Sequence, residues 1–390
     1  MLKSGTYFQL APVLFGSGTA EKAGEKAGEL GIKKAMLISD QGVRETGITE
    51  RIDAVLKKAG IKTVVWAEAE TDCPDYTVSE AAKIAKAECA DGVIGVGGGS
   101  VLDTAKAVAA VAANDETVLD EIPLYLTGQK QYENPPLPLL EIPTTAGTGS
   151  ESTFVSVVTS SKLDCKIGLP VHPDYGIVDP QLTKTVPADI TAFTGMDALA
   201  HAVEALVEKK ATPHSDLLAY EAIRLVRKYL PRAVKNGEDE EAREHLAFAS
   251  NLAGISFNES GTNIGHSAAH AIGHAYHVPH GICCSNMTPA VIRFAAKTYP
   301  EKMKKTALLF DADISSEDPS EIGEAAAEAV RKFAASLGVK TFRDLGISLT
   351  QLLSLKNIIN EDALCHAFGG KVTETDIEKL LTDADRDGRQ

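Results

Sequence analysis

The chain has 390 residues, of which 44% are hydrophobic, so it can bury a large core and exceeds the usual length of one domain. Its formal net charge of −15 argues against nucleic acid and anionic membrane surfaces as partners, because both select for clustered Lys and Arg. The sequence shows no apolar run of membrane-spanning length, no convincing secretory signal and only six irregularly spaced cysteines, so we expect a soluble, reduced, cytoplasmic protein.

Short β-branched runs alternate with amphipathic segments in the first half of the chain. The runs with the composition of buried strands are 34–40, 62–68, 91–97 and 137–143. Around the first three lie segments with apolar residues at helical spacing, at 21–31, 48–60 and 77–90. Alternation of this kind predicts a parallel sheet covered by helices.

The second half has a different pattern. From about Pro187 the strand signal is lost, and long segments rich in Ala, Leu and Glu follow one another. The segments with helical spacing are 192–210, 214–230, 239–257, 264–276, 285–297, 317–337 and 348–358. We therefore predict two domains, an α/β domain over residues 1–185 and an all-helical domain over residues 186–390.

Asp40 and a glycine-rich turn follow two of the predicted strands. A carboxylate at Asp40 can bind adenine ribose hydroxyls and repel a 2′-phosphate, although a lone Asp at a strand end is often only a turn residue. The sequence GGGS at 97–100 leads from a strand into a helix, so its backbone can approach a phosphate at the helix N-terminus. Alternatively, Ser100 and Asp103 form a capping box that needs no ligand.

A second polar turn, EIPTTAGTGSES at 141–152, follows the fourth predicted strand. Thr144, Thr145 and Thr148 there provide hydroxyls and backbone donors, which suit a pyrophosphate or a nicotinamide ribose. The alternative is a polar turn without a ligand. The presence of both turns raises the expectation of a bound dinucleotide.

Asp197 and His201 lie four residues apart in a predicted helix, so their side chains project from the same face. A carboxylate and an imidazole in this arrangement can bind a divalent metal. The alternative is that Thr194 and Asp197 form a capping box and that His201 is an ordinary packed or exposed histidine.

Five of the ten histidines lie in GHSAAHAIGHAYHVPHG at 265–281. A helix over 264–276 places His266, His270 and His274 along one stripe, and Pro279 ends it, leaving His280 in a turn that can fold back. This concentration of imidazoles, with the Asp197–His201 pair, indicates a metal site. Position 267 is Ser and not the Glu that a zinc peptidase requires there, so metal-assisted peptide hydrolysis is not expected.

Taken together, these motifs resemble the iron-containing (group III) alcohol dehydrogenases, over nearly the whole chain. The resemblance rests on the Asp-ended first strand, GGGSxxDxAK at 97–106, PTTxGTGSE at 143–151, GxDAxxHAxE at 195–204 and HxxxH with PHG at 266–281. It implies an N-terminal dinucleotide-binding domain with a parallel sheet, followed by a C-terminal helical domain that binds metal and substrate.

The resemblance also implies roles for individual residues. It assigns the ligands of a divalent metal, Fe²⁺ with Zn²⁺ as the alternative, to Asp197, His201, His266 and His280. It assigns a proton relay to His270 and a wall of the substrate pocket to Phe257. The residues it assigns to NAD(H) are Asp40, Gly98, Gly99, Ser100, Thr144, Thr145, Thr148, Lys166 and Leu182.

The implied function is metal-assisted hydride transfer between NAD(H) and a small primary alcohol or its aldehyde, in a homodimer or larger homo-oligomer. The alternatives are a polyol dehydrogenase, a reductase of ω-hydroxy-acid or sulfonate aldehydes, and a dehydroquinate-synthase-type lyase. A non-catalytic metal- or nucleotide-binding protein is a further alternative. The chain departs from the family at Phe154 and Val155 and lacks a C-terminal Asn-Pro-Arg, which leaves the substrate open.

Overall fold

Six strands form a parallel sheet in the first half of the chain, in a computed structural model that describes residue 7 and residues 9–388. They are Val13–Phe15 (β1), Lys34–Ile38 (β2), Lys62–Trp66 (β3), Gly92–Gly97 (β4), Leu139–Pro143 (β5) and Tyr175–Val178 (β8). Val155–Ser160 (β6) and Cys165–Pro170 (β7) form a separate antiparallel hairpin. The order across the sheet is β1-β8-β5-β4-β2-β3, so β4 and β5, which precede the two polar turns, are neighbours.

Both faces of this sheet are buried. Met36 and Ile38 of β2 belong to one apolar cluster, whereas Ala35 and Leu37 belong to another, because successive side chains point to opposite faces. Burial on both faces explains why the predicted strands are continuous apolar runs. The four predicted strands are confirmed as β2 to β5, whereas β1 and β8 were missed because three or four residues give too short a periodic signal.

Helices cover the sheet, as the alternating pattern predicts. They are Ala23–Glu29 (α1), Gln41–Glu45 (α2), Ile48–Lys58 (α3), Asp75–Ala87 (α4), Gly99–Ala113 (α5), Thr117–Asp120 (α6) and Ile122–Leu126 (α7). Short 3-10 helices occur at Thr19–Lys22, Ser150–Ser152 and Pro180–Thr183.

The second half is helical, as predicted. Its helices are Ala188–Val207 (α8), Pro213–Lys235 (α9), Glu240–Ser260 (α10), Ile264–Tyr276 (α11), His280–Ala296 (α12), Pro300–Leu309 (α13), Pro319–Ser336 (α14), Leu349–Ser354 (α15), Lys356–Glu361 (α16) and Glu374–Asp387 (α17), with a 3-10 helix at Ala363–Ala367. Helices α13 and α17 were not predicted, and α15 and α16 correspond to the single predicted segment 348–358. The predicted fold class, a parallel-sheet part followed by a helical part, is confirmed.

Grouped by internal contacts, the chain divides into two units. One comprises Gln9–Thr145 and Gly149–Val186, and the other comprises the helical part from Pro187 together with Ala146–Thr148. The helix α8 belongs to the core of the helical unit. It is the one helix in the described part of the chain that is long and apolar enough to cross a membrane, but 83% of that stretch is buried within the protein, as in the core helix of a soluble protein.

Candidate metal centre

Two side chains of α8 point in the same direction because they lie four residues apart. Asp197 and His201 are only 3% and 5% exposed, and Asp197 Oδ2 lies 3.8 Å from His201 Nδ1. The capping-box alternative is wrong, because α8 begins at Ala188 and therefore contains Thr194 and Asp197 in its interior. Thr194 instead donates its hydroxyl to the carbonyl of Ile190, at 2.8 Å.

His266 lies in the first turn of α11 and is oriented by a carboxylate of α8. His266 Nδ1 donates to Glu204 Oε1 at 2.9 Å, and Glu204 Oε2 accepts from the backbone N–H of Asn263. Gly265 makes this approach possible, because a Cβ atom there would collide with Glu204 Oε1. Since Nδ1 carries the donated proton, Nε2 is the nitrogen with a lone pair for a ligand bond. Glu204 is the last residue of the motif GxDAxxHAxE, but its role was not predicted from the sequence.

His280 is the first residue of α12, and the prediction that it lies in a turn was wrong. Helix α11 does end before Pro279, at Tyr276, but Pro279 is also the N-cap of the next helix. Proline is tolerated at a helix start because the first N–H groups have no partner within the helix. A Cβ atom at Gly281 would collide with the backbone carbonyl of Phe193, so glycine allows α12 to start against α8.

These four side chains converge on one point. One ligand atom from each of Asp197, His201, His266 and His280 lies within 4.8 Å of the others. Asp197 Oδ1 is 3.5 Å from His280 Nε2 and 3.9 Å from His266 Nε2. Two atoms that each bind one cation at about 2.0–2.2 Å are themselves about 3–3.6 Å apart. The distance from Asp197 Oδ1 to His280 Nε2 is already in this range, and the distance from Asp197 Oδ1 to His266 Nε2 is a few tenths of an ångström beyond it.

The polar atoms at this point fit a bound cation. Asp197 Oδ1, His201 Nδ1 and His266 Nε2 are buried and have no hydrogen-bond partner among the described residues. Each such orphaned group costs about 1–3 kcal/mol, and a cluster of them needs an explanation. A divalent cation would accept all three lone pairs. One carboxylate and three imidazoles suit both Fe²⁺ and Zn²⁺.

The electrostatic environment differs between the buried imidazoles. Burial lowers the pKa of His201 to about 4, so this ring is neutral and its nitrogen is ready to bind a metal at pH 7. Burial also acts to lower the pKa of His266, but the neighbouring Glu204 and Asp197 carboxylates outweigh it, and the net pKa is raised. A metal ion that binds His266 would therefore compete with a proton.

The two residues predicted to line the substrate pocket and to relay a proton, Phe257 and His270, lie against the histidines of this group. The ring of Phe257 stacks on His201 with centroids 4.3 Å apart, and the ring of His270 stacks on His280 at 5.2 Å. His274 and His277 are not part of the group. His274 lies in the last turn of α11, and His277 is an exposed residue in the left-handed conformation that ends the helix.

In the sheet unit, Asp40 and the glycine turn occupy the ends of β2 and β4. Asp40 is the N-cap of α2, where its Oδ1 accepts from the backbone N–H of Val43 at 2.8 Å. The Ser100–Asp103 capping box does not form. Helix α5 has Gly98 as its N-cap without a side-chain cap, and Ser100 Oγ accepts from the N–H of Asp72 at 3.0 Å.

The Thr-rich turn approaches the glycine turn. The Thr144 N–H donates to the carbonyl of Gly97 at 2.9 Å, and a Cβ atom at Gly98 would lie 3.4 Å from Thr145 Cγ2. Thr148 is half-buried and is grouped with the helical unit.

The remaining two residues predicted for the cofactor have other contacts. Lys166 on β7 forms an ion pair with Asp72 at 2.6 Å. Leu182 is buried in the apolar cluster on one face of the sheet, within the 3-10 helix Pro180–Thr183.

A second buried polar group was missed by the sequence analysis. Lys106 is fully buried on α5, and its Nζ lies 2.6–3.0 Å from four oxygens, the carbonyl and hydroxyl of Ser150, the hydroxyl of Thr153 and the carbonyl of Val155. Glu141 of β5 is also fully buried, 3.9 Å from Nζ, and burial raises its pKa well above the usual range. In the sequence, Lys106 is the last residue of the motif GGGSxxDxAK, of which only the glycines, Ser100 and Asp103 were given roles.

Asp103 completes this group. Its Oδ1 accepts from the Ser150 hydroxyl at 2.9 Å, and its Oδ2 accepts from the Val157 N–H at 3.0 Å. We call Lys106, Asp103, Glu141, Ser150 and Thr153 the lysine cluster, and Asp197, His201, His266 and His280 the metal centre. The lysine cluster lies wholly in the sheet unit and the metal centre wholly in the helical unit.

Two family models match the chain. Residues 11–180 match the model described as iron-containing alcohol dehydrogenase, and residues 191–384 match the C-terminal model of the Fe-containing alcohol dehydrogenase family. Between them the two models contain all four residues of the metal centre and the whole lysine cluster.

Individual relatives are similar over almost their full length. The NAD-dependent methanol dehydrogenase of Bacillus methanolicus is 35% identical over 384 residues, which are 97% of this chain and 100% of that protein. The 1,3-propanediol dehydrogenase of Citrobacter freundii is 32% identical over 376 residues, 95% of this chain and 96% of the relative. Among solved structures, a 1,3-propanediol oxidoreductase superposes with a TM-score of 0.88 at 31% identity, over 97% of this chain and 100% of the other.

Proposed function

This chain belongs to the iron-containing alcohol dehydrogenase family, and from that premise we propose that it interconverts a small primary alcohol and its aldehyde at the metal centre. Membership makes the chain a metal-dependent alcohol and aldehyde oxidoreductase that uses NAD(H). Within this function, residues 186–390 bind metal and substrate and residues 1–185 bind the dinucleotide.

The observation that carries the proposal is the convergence of orphaned ligand atoms in the metal centre. Asp197, His201, His266 and His280 hold a divalent cation, and Glu204 fixes the His266 ring through Nδ1. When bound, the cation supplies Lewis-acid chemistry, which lowers the pKa of a substrate hydroxyl. NAD(H), when bound, would supply the acceptor for the hydride of the alcohol carbon and, in aldehyde reduction, its donor.

His270 and Phe257 serve the substrate. His270 lies one helical turn after His266, and its ring stacks on His280, which supports a role in moving the hydroxyl proton away from the metal centre. Phe257, stacked on His201, gives the substrate an apolar wall. His270→Phe keeps the ring stacking but not the proton transfer. We expect it to lower kcat and alter its pH profile while the metal content is unchanged, and loss of metal would contradict the assignment.

The glycine turn and the Thr-rich turn bind NAD(H). Gly98 and Gly99 start α5 without a side-chain cap, which leaves its first N–H groups for a phosphate, and Thr144, Thr145 and Thr148 lie on the second turn. Lys166 and Leu182 belong to the nicotinamide half of this site.

Asp40 sets the preference for NAD over NADP. Asp40→Asn preserves the cap of α2 and removes the charge that repels a 2′-phosphate. We expect the ratio of kcat/KM for NADH to that for NADPH to fall by about tenfold, the effect of one lost charge repulsion. An unchanged ratio would remove this role from Asp40.

The substrate class is tested by following NADH oxidation with a panel of small aldehydes, with and without a chelator. Short aliphatic aldehydes should be reduced in a chelator-sensitive way, more rapidly than polyol-derived, ω-hydroxy-acid or sulfonate aldehydes. Preference for an anionic aldehyde would contradict the proposed substrate. Stoichiometric metal without turnover of any aldehyde would contradict the function. We also propose that the protein is cytoplasmic and forms a homodimer or larger homo-oligomer. Gel filtration of the purified protein tests its oligomeric state.

A further inference from the structure

Helix α12 contributes a second side chain to the metal centre. Cys284 lies four residues after His280, so both point from the same face of the helix. Cys284 is 1% exposed, and its Sγ lies 3.3 Å from His280 Nε2, the same nitrogen that is 3.5 Å from Asp197 Oδ1. Helices α8 and α12 thus present matching pairs, Asp197 with His201 and His280 with Cys284.

The distance between these two atoms suits ligands of a common ion. A nitrogen about 2.0–2.1 Å and a sulfur about 2.3 Å from one cation lie about 3.1–3.6 Å apart, for bond angles between octahedral and tetrahedral. A cysteine on a buried helix face is by itself ordinary packing. Here the orphaned Oδ1 of Asp197 lies 3.5 Å from the same nitrogen of His280 and 3.9 Å from the orphaned Nε2 of His266, so the thiol is at the edge of a ligand group that already needs an ion.

We propose that Cys284 is a fifth ligand of the metal and that it biases the centre toward Zn²⁺ over Fe²⁺. This inference depends on the metal site of the proposed function. Cys284 binds as the thiolate, the form in which cysteine coordinates metals. Thiolate sulfur is a softer donor than imidazole nitrogen or carboxylate oxygen, and it favours zinc over iron in a mononuclear site.

Cys283 provides a matched control. It is the preceding residue of the same helix and is fully buried, but its Sγ lies 3.8 Å from the carbonyl of Val278. The substitutions Cys283→Ser and Cys284→Ser therefore make the same chemical change at adjacent buried positions of α12. The inference predicts an effect on metal binding at only one of them.

The experiment loads the full-length protein with Co²⁺ and records its absorption spectrum. Wild type and C283S should show the near-ultraviolet sulfur-to-cobalt charge-transfer band, and C284S should lose it while still binding one Co²⁺. In competition between the two metals, C284S should shift the ratio of bound Zn²⁺ to Fe²⁺ toward iron by about 10–100-fold, the effect of losing a supporting interaction at a metal. The inference is overturned if cobalt-loaded wild type lacks the band or if C284S retains it.

A measurement on unaltered protein makes the test independent of how C284S folds. X-ray absorption of the zinc-loaded wild type should show one sulfur about 2.3 Å from zinc. A shell made only of nitrogen and oxygen overturns the inference. If wild type binds metal and reduces aldehydes without any sulfur signal, only the role of Cys284 falls. If wild type binds no divalent metal, the proposed function falls with it.

Discussion

The metal centre and the lysine cluster are both buried groups of charged side chains, but they are neutralised differently. In the lysine cluster the cation is part of the chain, because Nζ of Lys106 already lies among four oxygen atoms. In the metal centre, Asp197 Oδ1, His201 Nδ1 and His266 Nε2 are buried close together, and none of the described residues gives any of these three atoms a hydrogen-bond partner.

This contrast separates a structural charge cluster from a binding site. Burying a carboxylate requires a bound cation, a cation of the chain or a proton. The orphaned Asp197 indicates a bound cation, and in the lysine cluster Lys106 is the cation of the chain. Glu141 has no hydrogen-bond partner among the described residues, and burial raises its pKa, which favours the proton. Burial of charge alone therefore does not identify the catalytic site.

The largest expected effect comes from His266→Ala, which removes a proposed ligand from the metal centre. We expect kcat/KM for aldehyde reduction to fall by about 10⁴-fold, since Lewis-acid stabilisation is worth several kcal/mol. The exposed residue His277 lies outside the metal centre, and His277→Asn, which suits its left-handed backbone, should retain wild-type activity. Equal activity in both variants, with metal added, would refute the ligand assignment.

Lys106→Met should lower the free energy of unfolding. It leaves Asp103 and the surrounding oxygens without their cation, and removing one partner of a buried pair costs about 3–5 kcal/mol. The free energy of unfolding, from denaturant titration, measures this loss. As a control, Lys83 pairs with Glu116 at the surface, so Lys83→Met should cost less than about 1 kcal/mol. If both substitutions lowered the free energy of unfolding by similar amounts, the lysine cluster would not be an important source of stability for the sheet unit.

Metal removal should distinguish the two clusters directly. A cation at 100 times its Kd stabilises the folded state by about 2.7 kcal/mol, so chelation should lower the Tm of wild type. His266→Ala should show little or no shift, because it binds the metal poorly. Lys106→Met should keep the full shift, because its metal centre is intact. A chelator shift that disappears in Lys106→Met would show that the two clusters are energetically coupled.

Glu141→Gln should have the smallest effect, and one that depends on pH. Burial raises the pKa of Glu141, so at about pH 3, well below the ordinary pKa of a glutamate, the group is protonated in both the folded and unfolded states and contributes no difference. As pH rises, the unfolded chain ionises first and the stability of wild type falls until the folded pKa is reached.

Glutamine mimics the protonated acid, so Glu141→Gln should be more stable than wild type at pH 7 and equal to it at about pH 3. Unfolding titrations at several pH values measure this difference. The exposed residue Glu80 is the control, and Glu80→Gln should follow the wild-type pH profile. A variant less stable than wild type at pH 7 would show that Glu141 is ionised beside Lys106.

The sequence predicted most of the fold because its signals are periodic and local. The continuous apolar strands β2 to β5 and the long helices α8 to α12 are long enough for their period to be recognised. The strands β1 and β8 have three and four residues and owe their pairing to neighbours distant in sequence. The start of α12 at His280 was missed because Pro279 has the same sequence signature whether it follows one helix or caps the next.

For the metal centre, the sequence predicts which residues could be ligands, but not the tertiary contacts that orient them. Asp197 and His201 share a face at the helical period, so local geometry brings them together. The contact of Glu204 with His266 joins residues 62 positions apart, and that of Lys106 with Ser150 joins residues 44 apart. Only tertiary packing makes such contacts, and no local pattern encodes them.

Gly265 makes the metal centre vulnerable at a position that binds nothing. A single methyl group at residue 265 would push Glu204 away from His266, so the imidazole would lose the acceptor that directs its other nitrogen. A natural variant with this change would still contain every ligand and yet bind metal poorly. Screening genomes for active enzymes of this type by the ligand quartet alone would therefore accept some inactive chains, and requiring a glycine beside the histidine would exclude them.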